Sequence, residues 1–215
     1  MATQSYDSVL HGNMTEILPR LFLGSEHAVQ KRDQLRRHGI THILSVMPDP
    51  PAMTDSEADD FRCMNIRALD LPDEELLTHF RDANAFIDHA RVTKGEGVLV
   101  HCQMGVSRSA AVVAAYLIAS HPPTPDAARA IAFLQARRPA VQPNWGFVQQ
   151  LALYARCGAD VERNPVALEA WRAGARRGPR WVGAAQSEAQ GEGESGGPWV
   201  RNWRRASRWA ASVFV

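Results

Sequence analysis

Residues 98–109 of this 215-residue chain read Val-Leu-Val-His-Cys-Gln-Met-Gly-Val-Ser-Arg-Ser. Three apolar residues, a polar segment with one glycine and the apolar run 110–119 predict a buried strand, a tight loop and the start of a helix. Such a loop aims successive backbone N–H groups and a helix N-terminus at one point, which creates an anion site. The stretch therefore predicts an anion-binding loop at the end of a buried strand.

The same loop contains two side chains suited to chemistry on a phosphate ester. Cys102 opens the loop, and the dipoles that bind an anion also favour the thiolate form of a cysteine. Arg108 follows six positions later, and a guanidinium can donate to two oxygens of a tetrahedral anion at once. Together these features predict a phosphate-ester hydrolase with a cysteine nucleophile. An ordinary buried cysteine in a strand-to-helix turn is the alternative interpretation.

Segments with strand and helix patterns alternate along most of the chain. Apolar and β-branched residues at 40–47 and 98–100 predict strands, whereas apolar residues at helical spacing from Leu76 to Ala90 predict a helix that begins near Asp73. This alternation predicts an α/β fold with a central, mainly parallel sheet flanked by helices, and it places the loop at the carboxyl end of a central strand. We assign a domain to residues 15–160, a short helical extension to 161–180 and a disordered tail, rich in Gly and Glu and then in Trp and Arg, to 181–215.

Charge and cysteine content limit the functions to be considered. The net charge is +1, but residues 1–162 sum to −4 and residues 163–215 to +5, which fits a body with a differently composed tail. Three cysteines without a Cys-x-x-Cys pair argue against a disulfide framework and predict a reducing compartment, the cytoplasm or the nucleus. We predict no metal site, no other cofactor and no membrane-spanning segment.

The loop also has the spacing of a known signature, His-Cys-(five residues)-Arg-Ser. It resembles the loop of the cysteine-dependent protein tyrosine phosphatase superfamily, and its Gly-Val-Ser-Arg-Ser centre looks most like the dual-specificity phosphatases. The resemblance covers about residues 15–160 and implies a protein tyrosine phosphatase-like fold. It also implies that Cys102 attacks phosphorus as a thiolate and forms a phosphocysteine intermediate.

This resemblance assigns roles to the other residues of the loop. The substrate phosphate is expected to bind Gln103, Met104, Gly105, Val106, Ser107 and Arg108. Their backbone N–H groups and the Arg108 guanidinium would stabilise the phosphate oxygens during transfer. The Ser109 hydroxyl is expected to donate to the cysteine sulfur and ease its departure, with an ordinary first-turn serine as the alternative. His101 is expected to orient the loop through a hydrogen bond without reacting itself.

Departure of the ester oxygen requires a proton donor on a separate segment. The acidic candidates ahead of the loop are Asp70, Asp73, Glu74 and Glu75. The last three have an alternative role as charges at a helix start. The dual-specificity family carries its acid about thirty positions before the cysteine, on a loop ahead of a helix with a His-Phe pair. Asp70 lies 32 positions before Cys102 and His79-Phe80 follows it, so we predict that Asp70 is the acid, and then the base for water, with Asp73 as the alternative.

Two features after the loop extend the resemblance. Asn144 lies in Pro-Asn-Trp-Gly-Phe, which matches the family's Asn-x-Gly-Phe stretch, where the asparagine tends to brace the phosphate loop. It is also suited to cap a helix. The continuation from Gln149 to Tyr154 is most similar to dual-specificity phosphatases with a C-terminal zinc-binding domain, but no cysteine or histidine that could serve as a zinc ligand follows Cys157.

The loop composition also bears on the substrate. Residues 103–107 contain no Lys or Arg, whereas inositol-lipid phosphatases of the superfamily have basic residues there, so a singly phosphorylated group is favoured. The classical tyrosine-specific members of the superfamily have longer domains and deeper pockets, so the resemblance implies a shallow pocket here that admits phosphoserine and phosphothreonine as well as phosphotyrosine. We therefore expect phosphoprotein substrates and no nucleic-acid partner.

Three alternatives remain open from the sequence. One is a catalytically weak scaffold that binds phosphoproteins, and another is a phosphatase for RNA 5′ ends, lipid or sugar phosphates. The third concerns the tail, where aromatic and basic residues are interspersed: Trp199, Trp203, Trp209 and Phe214 with Arg201, Arg204, Arg205 and Arg208. That mixture can bind an anionic membrane or nucleic acid, and a disordered end without a role is the simpler interpretation.

Overall fold

The computed structural model describes residues 14–52, 60–120 and 126–175. The chain divides into two compact units between Asn164 and Pro165. The first unit contains the sheet and the predicted loop. In the second, the described residues form one helix, which lies inside the predicted extension 161–180. The tail predicted at 181–215 lies outside the described residues.

Within the described residues, one five-stranded sheet has the order β1-β2-β5-β3-β4. The strands are β1 (Thr15–Leu18), β2 (Leu21–Ser25), β3 (Ile40–Val46), β4 (Arg62–Ile66) and β5 (Gly97–Cys102). Strands β1 and β2 are antiparallel, and the remaining neighbours are parallel. The predicted α/β class with a mainly parallel sheet is therefore confirmed, and β5 occupies its centre.

The helices of the first unit connect and cover these strands. They are α1 (Glu26–Gln30), α2 (Arg32–Arg37), α3 (Phe80–Asp88), α4 (Arg108–Ser120), α5 (Ala127–Gln135) and α6 (Trp145–Arg156). The helix of the second unit is α7 (Pro165–Ala175). A short 3-10 turn, Leu77–His79, precedes α3, and a π turn, His89–Lys94, follows it. In the described part of the chain, no helix is long and apolar enough to cross a membrane.

Burial on both faces fixes the position of β5. All six of its residues are buried, which requires cover on both sides of the sheet. Leu99 packs in a cluster with Val29 of α1 and Leu35 of α2. Because side chains alternate along a strand, Val98 and Val100 point to the opposite face, and both are fully buried as well. Helix α4 packs against β5 and is buried from Arg108 to Leu117, so the loop between them is held from both ends.

One predicted boundary is wrong. The helix expected from Asp73 begins only with the 3-10 turn at Leu77 and becomes α-helical at Phe80. The reason is a competing partner, because the backbone N–H groups of Leu76 and Leu77 donate to the Gln150 side chain of α6 at 2.8 Å each. The acidic residues at 70–75 therefore lie on a non-helical segment that is attached to another helix.

Candidate active site

Cys102 lies at the carboxyl end of β5 and is 1% exposed. Its sulfur accepts hydrogen bonds from the backbone N–H of Gly105 at 3.3 Å and from the Ser109 hydroxyl at 3.2 Å. Gly105 belongs to the loop and Ser109 to the first turn of α4. Donors from two directions thus converge on the sulfur and stabilise negative charge there.

The carbonyl groups of loop residues 103–107 all accept hydrogen bonds. The Gln103 carbonyl accepts from the Glu26 N–H, and those of Met104 and Gly105 accept from the Arg138 side chain. The Val106 and Ser107 carbonyls accept from the N–H groups of Gln142 and Ala111. A planar trans peptide places its carbonyl and the following N–H on opposite sides. The N–H groups of residues 104–108 therefore point away from these partners, and the Gly105 N–H does reach the sulfur. Five successive amides with this orientation form an anion cradle.

Gly105 is required at its position for two reasons. Its φ is +70°, a left-handed conformation that glycine adopts without steric cost. A Cβ atom built there would lie 2.4 Å from the carbonyl oxygen of Gly24 in β2. The loop therefore rests directly on the end of β2, which positions it beside Cys102.

Arg138 holds the loop by hydrogen bonds to its carbonyl groups, a structural role not predicted from the sequence. It is fully buried, and its Nε and Nη2 donate to the carbonyls of Gly105 and Met104 at 3.0 and 3.1 Å. Burial lowers the pKa of its guanidinium, and the charge of Cys102 acts in the opposite direction. The available signal was its spacing, since Arg138 continues the i, i+3, i+7 pattern of Ile131 and Leu134, both buried in α5.

His101 links the base of the loop to the neighbouring strand. It is fully buried, its Nδ1 lies 3.4 Å from the Cys102 carbonyl, and its Nε2 lies 2.7 Å from the Ser45 hydroxyl oxygen of β3. A carbonyl can only accept, so Nδ1 donates and Nε2 of the neutral ring accepts from Ser45. Burial lowers the pKa of His101 to about 4, so the ring is neutral at pH 7 and holds the backbone of Cys102 in place.

The Nε of Arg108 is an N–H group of the site without a hydrogen-bond acceptor in the described part of the chain. Its Nη1 donates to the Ala68 carbonyl at 3.3 Å, and its Nε lies 3.8 Å from a carboxylate oxygen of Asp70. Among the described residues, no atom accepts a hydrogen bond from the buried Nε. A buried cationic N–H without an acceptor is unfavourable, so this N–H group is suited to a phosphate oxygen.

Asp70 reaches the loop through two hydrogen bonds. Its Oδ1 accepts from the Ser107 hydroxyl at 2.6 Å and from the Asn144 side-chain amide at 2.8 Å. Its side chain is 37% exposed, so a substrate can approach it from solvent. The structure thus brings together the loop and an acid from a segment 37 positions away.

Asn144 caps helix α6 and also contacts the phosphate loop. Its Oδ1 accepts from the Phe147 N–H, which makes it the N-cap of α6. Its own backbone N–H donates to the Ser107 hydroxyl at 3.0 Å, which connects it to the loop.

Glu74 and Asp73 differ from Asp70 in their surroundings. The Glu74 carboxylate accepts from the backbone N–H of Leu69 at 3.0 Å, and Asp73 is exposed. Across residues 14–52, 60–120 and 126–175, no group of three His, Cys, Asp or Glu side chains is placed to hold a metal ion. Of the acidic candidates, Asp70 is the one for which the structure gives a hydrogen bond to the loop and an ion pair with Arg108.

Comparison with known proteins agrees with this geometry. The family model described as dual specificity phosphatase, catalytic domain, matches residues 21–157. Dual specificity protein phosphatase 12 of Rattus norvegicus is 37% identical over 161 residues, which cover 75% of this chain and 47% of that protein. Dual specificity protein phosphatase 22-B of Danio rerio is 39% identical over 138 residues, which cover 64% of this chain and 72% of that protein.

A solved structure shows the same fold. The crystal structure of human DUSP28 is 34% identical to the aligned part and has a TM-score of 0.61, covering 67% of this chain and 93% of that one. The chain spans about half the length of the rat relative. With the family model matching more than half of its residues around a loop of the expected geometry, this chain belongs to the dual specificity phosphatase family.

Proposed function

We propose that this chain hydrolyses phosphate monoesters on proteins, at phosphotyrosine and at phosphoserine or phosphothreonine, through a phosphocysteine intermediate. One observation carries the proposal. The Cys102 sulfur lies in a loop whose five successive carbonyls are hydrogen-bonded to donors on the side away from the sulfur, and the loop's Arg108 forms an ion pair with Asp70. The family's catalytic domain model covers this whole arrangement.

In the first step, the substrate phosphate binds the N–H groups of residues 104–108 and the Nε of Arg108. The Cys102 thiolate attacks phosphorus, the P–S bond forms, and the bond from phosphorus to the substrate oxygen breaks. Asp70, in its protonated form, gives its proton to that oxygen. The dephosphorylated substrate leaves with an intact hydroxyl group.

In the second step, water attacks the phosphorus of phosphocysteine and gives a proton to the Asp70 carboxylate. The P–S bond breaks and returns the electron pair to sulfur. The Ser109 hydroxyl, 3.2 Å from the sulfur, donates to it as the charge returns. Inorganic phosphate leaves, Cys102 is again a thiolate, and Asp70 is again protonated for the next cycle.

The surface near these groups supports a protein substrate. Leu69 and Leu71 flank Asp70, Met104 lies in the loop, and each is about half exposed. No residue from 103 to 107 is charged. Apolar side chains at these positions suit an aromatic ring or the aliphatic neighbours of a phosphorylated residue, whereas RNA and sugar phosphates would require more polar contacts.

Turnover of p-nitrophenyl phosphate and of matched phosphotyrosine, phosphoserine and phosphothreonine peptides tests the proposal. We expect activity on all of them, complete loss in Cys102→Ser, and unchanged activity in Cys63→Ser, which alters an exposed cysteine of β4. Binding of phosphopeptides without turnover by the wild type would instead indicate a scaffold. Equal or faster turnover of RNA 5′-phosphates or sugar phosphates would contradict the protein substrate class.

A further inference from the structure

Helix α6 is attached to the segment that contains Asp70 along its first two turns. Asn144 at the N-cap donates to the Asp70 carboxylate. Gly146 in the first turn meets the backbone of Pro72, since a Cβ built on it would lie 1.8 Å from the Pro72 carbonyl oxygen. Gln150, one turn further, bonds the segment again. The close approach at Gly146 requires glycine and fixes the distance between helix and segment.

Gln150 makes the most extensive of these attachments. It is fully buried, its Oε1 accepts from the backbone N–H groups of Leu76 and Leu77, and its Nε2 donates to the Glu74 carbonyl, all at 2.8 Å. An amide side chain has two acceptor positions and two donors, and three of the four are used on one short segment. Backbone groups of that segment would otherwise be desolvated without these partners.

Glu74 connects Gln150 to Leu69, the residue before Asp70. Its carbonyl is held by Gln150, and its carboxylate Oε2 accepts from the backbone N–H of Leu69 at 3.0 Å. Leu69 is joined by a peptide bond to Asp70. A short chain of contacts therefore leads from the interior of α6 to the residue next to the acid.

We propose that Gln150 is a positioning residue for proton transfer by Asp70, acting through Glu74. The inference rests on the proposed function, in which Asp70 protonates the leaving oxygen. Proton transfer depends on the distance and direction between donor and acceptor. Loss of the attachment should therefore impair proton delivery while the nucleophile and the anion cradle remain in place.

Two aryl phosphates separate this role from a general loosening of the fold. The p-nitrophenolate ion is a weak base and departs with little help from an acid, whereas phenolate is a stronger base and needs the proton. A variant that disturbs only proton delivery loses more kcat/KM on phenyl phosphate than on p-nitrophenyl phosphate. A variant that loosens the whole site loses about equally on both.

The experiment measures kcat/KM for both esters in the wild type, Gln150→Leu and Glu74→Ala. We expect each variant to lose about tenfold more on phenyl phosphate than on p-nitrophenyl phosphate. Glu74→Gln keeps an acceptor oxygen for the Leu69 N–H and should restore the wild-type ratio. Gln149→Ala changes an exposed neighbour on the same helix and should leave the ratio unchanged.

Glu74→Ala keeps the test valid if Gln150→Leu fails to fold. It truncates a partly exposed side chain and leaves the Gln150 contacts, which go to backbone groups, intact. Asp70→Asn provides the reference and should show the largest difference between the two esters. If Asp70→Asn shows that difference and both other variants do not, the positioning role is wrong and the proposed function stands. If Asp70→Asn shows no difference, the acid assignment fails and the positioning role fails with it.

Discussion

The phosphate loop, residues 102–109, and the acid segment, residues 69–77, form one site but are built in different ways. The loop is contiguous, begins at the end of a fully buried strand and ends in a buried helix. The acid segment has no regular structure before Leu77 and is held by side chains of Ser107, Asn144 and Gln150. An anion cradle depends on local backbone conformation, whereas an acid must be delivered by tertiary contacts.

This difference predicts separate consequences of mutation. Substitutions in the loop, or in residues such as His101 that hold it, should alter both phosphate binding and the stability of the core to which the loop is attached. Changes in the acid segment should alter proton delivery, because several of its side chains are exposed.

Apart from replacement of the Cys102 nucleophile, the largest effect is expected on the loop side, for Arg108→Lys. A lysine cannot donate to two phosphate oxygens in the geometry of a guanidinium, and loss of such a contact in phosphoryl transfer costs about 10³-fold in rate. Steady-state kinetics on p-nitrophenyl phosphate would measure it. Arg137→Lys, at an exposed arginine, is the control. A loss of less than about tenfold would show that the backbone amides alone suffice.

The pH dependence of folding stability tests whether the neutral, buried His101 ring supports the loop. Its pKa falls from the ordinary 6.5 to about 4 because the ring is buried. Between these values the unfolded chain binds a proton that the folded chain does not, so the contribution is intact above pH 6.5 and is lost as the pH falls toward 4. The full loss is about 3 kcal/mol.

His101→Asn removes that titration. We expect the free energy of unfolding to fall from pH 7 to pH 4 in both proteins, and the fall to be smaller in His101→Asn by about 3 kcal/mol. Denaturant unfolding of both proteins at the two pH values measures this difference. Other groups titrate equally in both proteins and cancel in the comparison. Parallel pH dependences would mean that the ring is not buried in its neutral form.

The same contrast explains what could be predicted from the sequence. The strand, loop and helix at 97–120 were predictable because their apolar pattern and the loop's composition act locally. The fold class followed from the alternation of such segments. The helix start at Asp73 was wrong because the amides of Leu76 and Leu77 bond to Gln150, a partner more than seventy positions away that no local pattern indicates.

The site shows the same limit. Spacing and family resemblance singled out Asp70, but its contacts with Ser107 and Asn144 depend on the tertiary fold. Arg138 was missed because it lies beside the exposed Arg137, and only burial distinguishes the two. Long-range side-chain contacts to backbone groups are thus the part of this site that sequence patterns do not reveal.

On the acid side, Asp70→Asn should lower kcat/KM on phenyl phosphate by about 10²-fold, the usual size of a lost general acid. The asparagine can still accept from Ser107, so the segment should keep its position. Asp73→Asn, at the alternative acid, should leave the rate unchanged. The reverse pattern, with a large loss only in Asp73→Asn, would move the acid to that residue.

The smallest effect is expected for Ser109→Ala, which removes one donor to the sulfur. The second step should slow, so kcat falls by about tenfold while kcat/KM is maintained. A burst of product equal to the enzyme concentration should appear in rapid mixing. Ser120→Ala, at the exposed end of α4, should behave as the wild type, and a parallel fall of kcat/KM in Ser109→Ala would place its role in the first step.

In the proposed mechanism, the phosphoryl group passes through the Cys102 sulfur. Acid quenching during turnover, followed by digestion and mass spectrometry, tests it most directly. We expect a phosphoryl group on the peptide that contains Cys102, more of it in Ser109→Ala, and neither adduct nor turnover in Cys102→Ser. Turnover that persists in Cys102→Ser, or a phosphoryl group on a different residue, would show that phosphate does not pass through this sulfur.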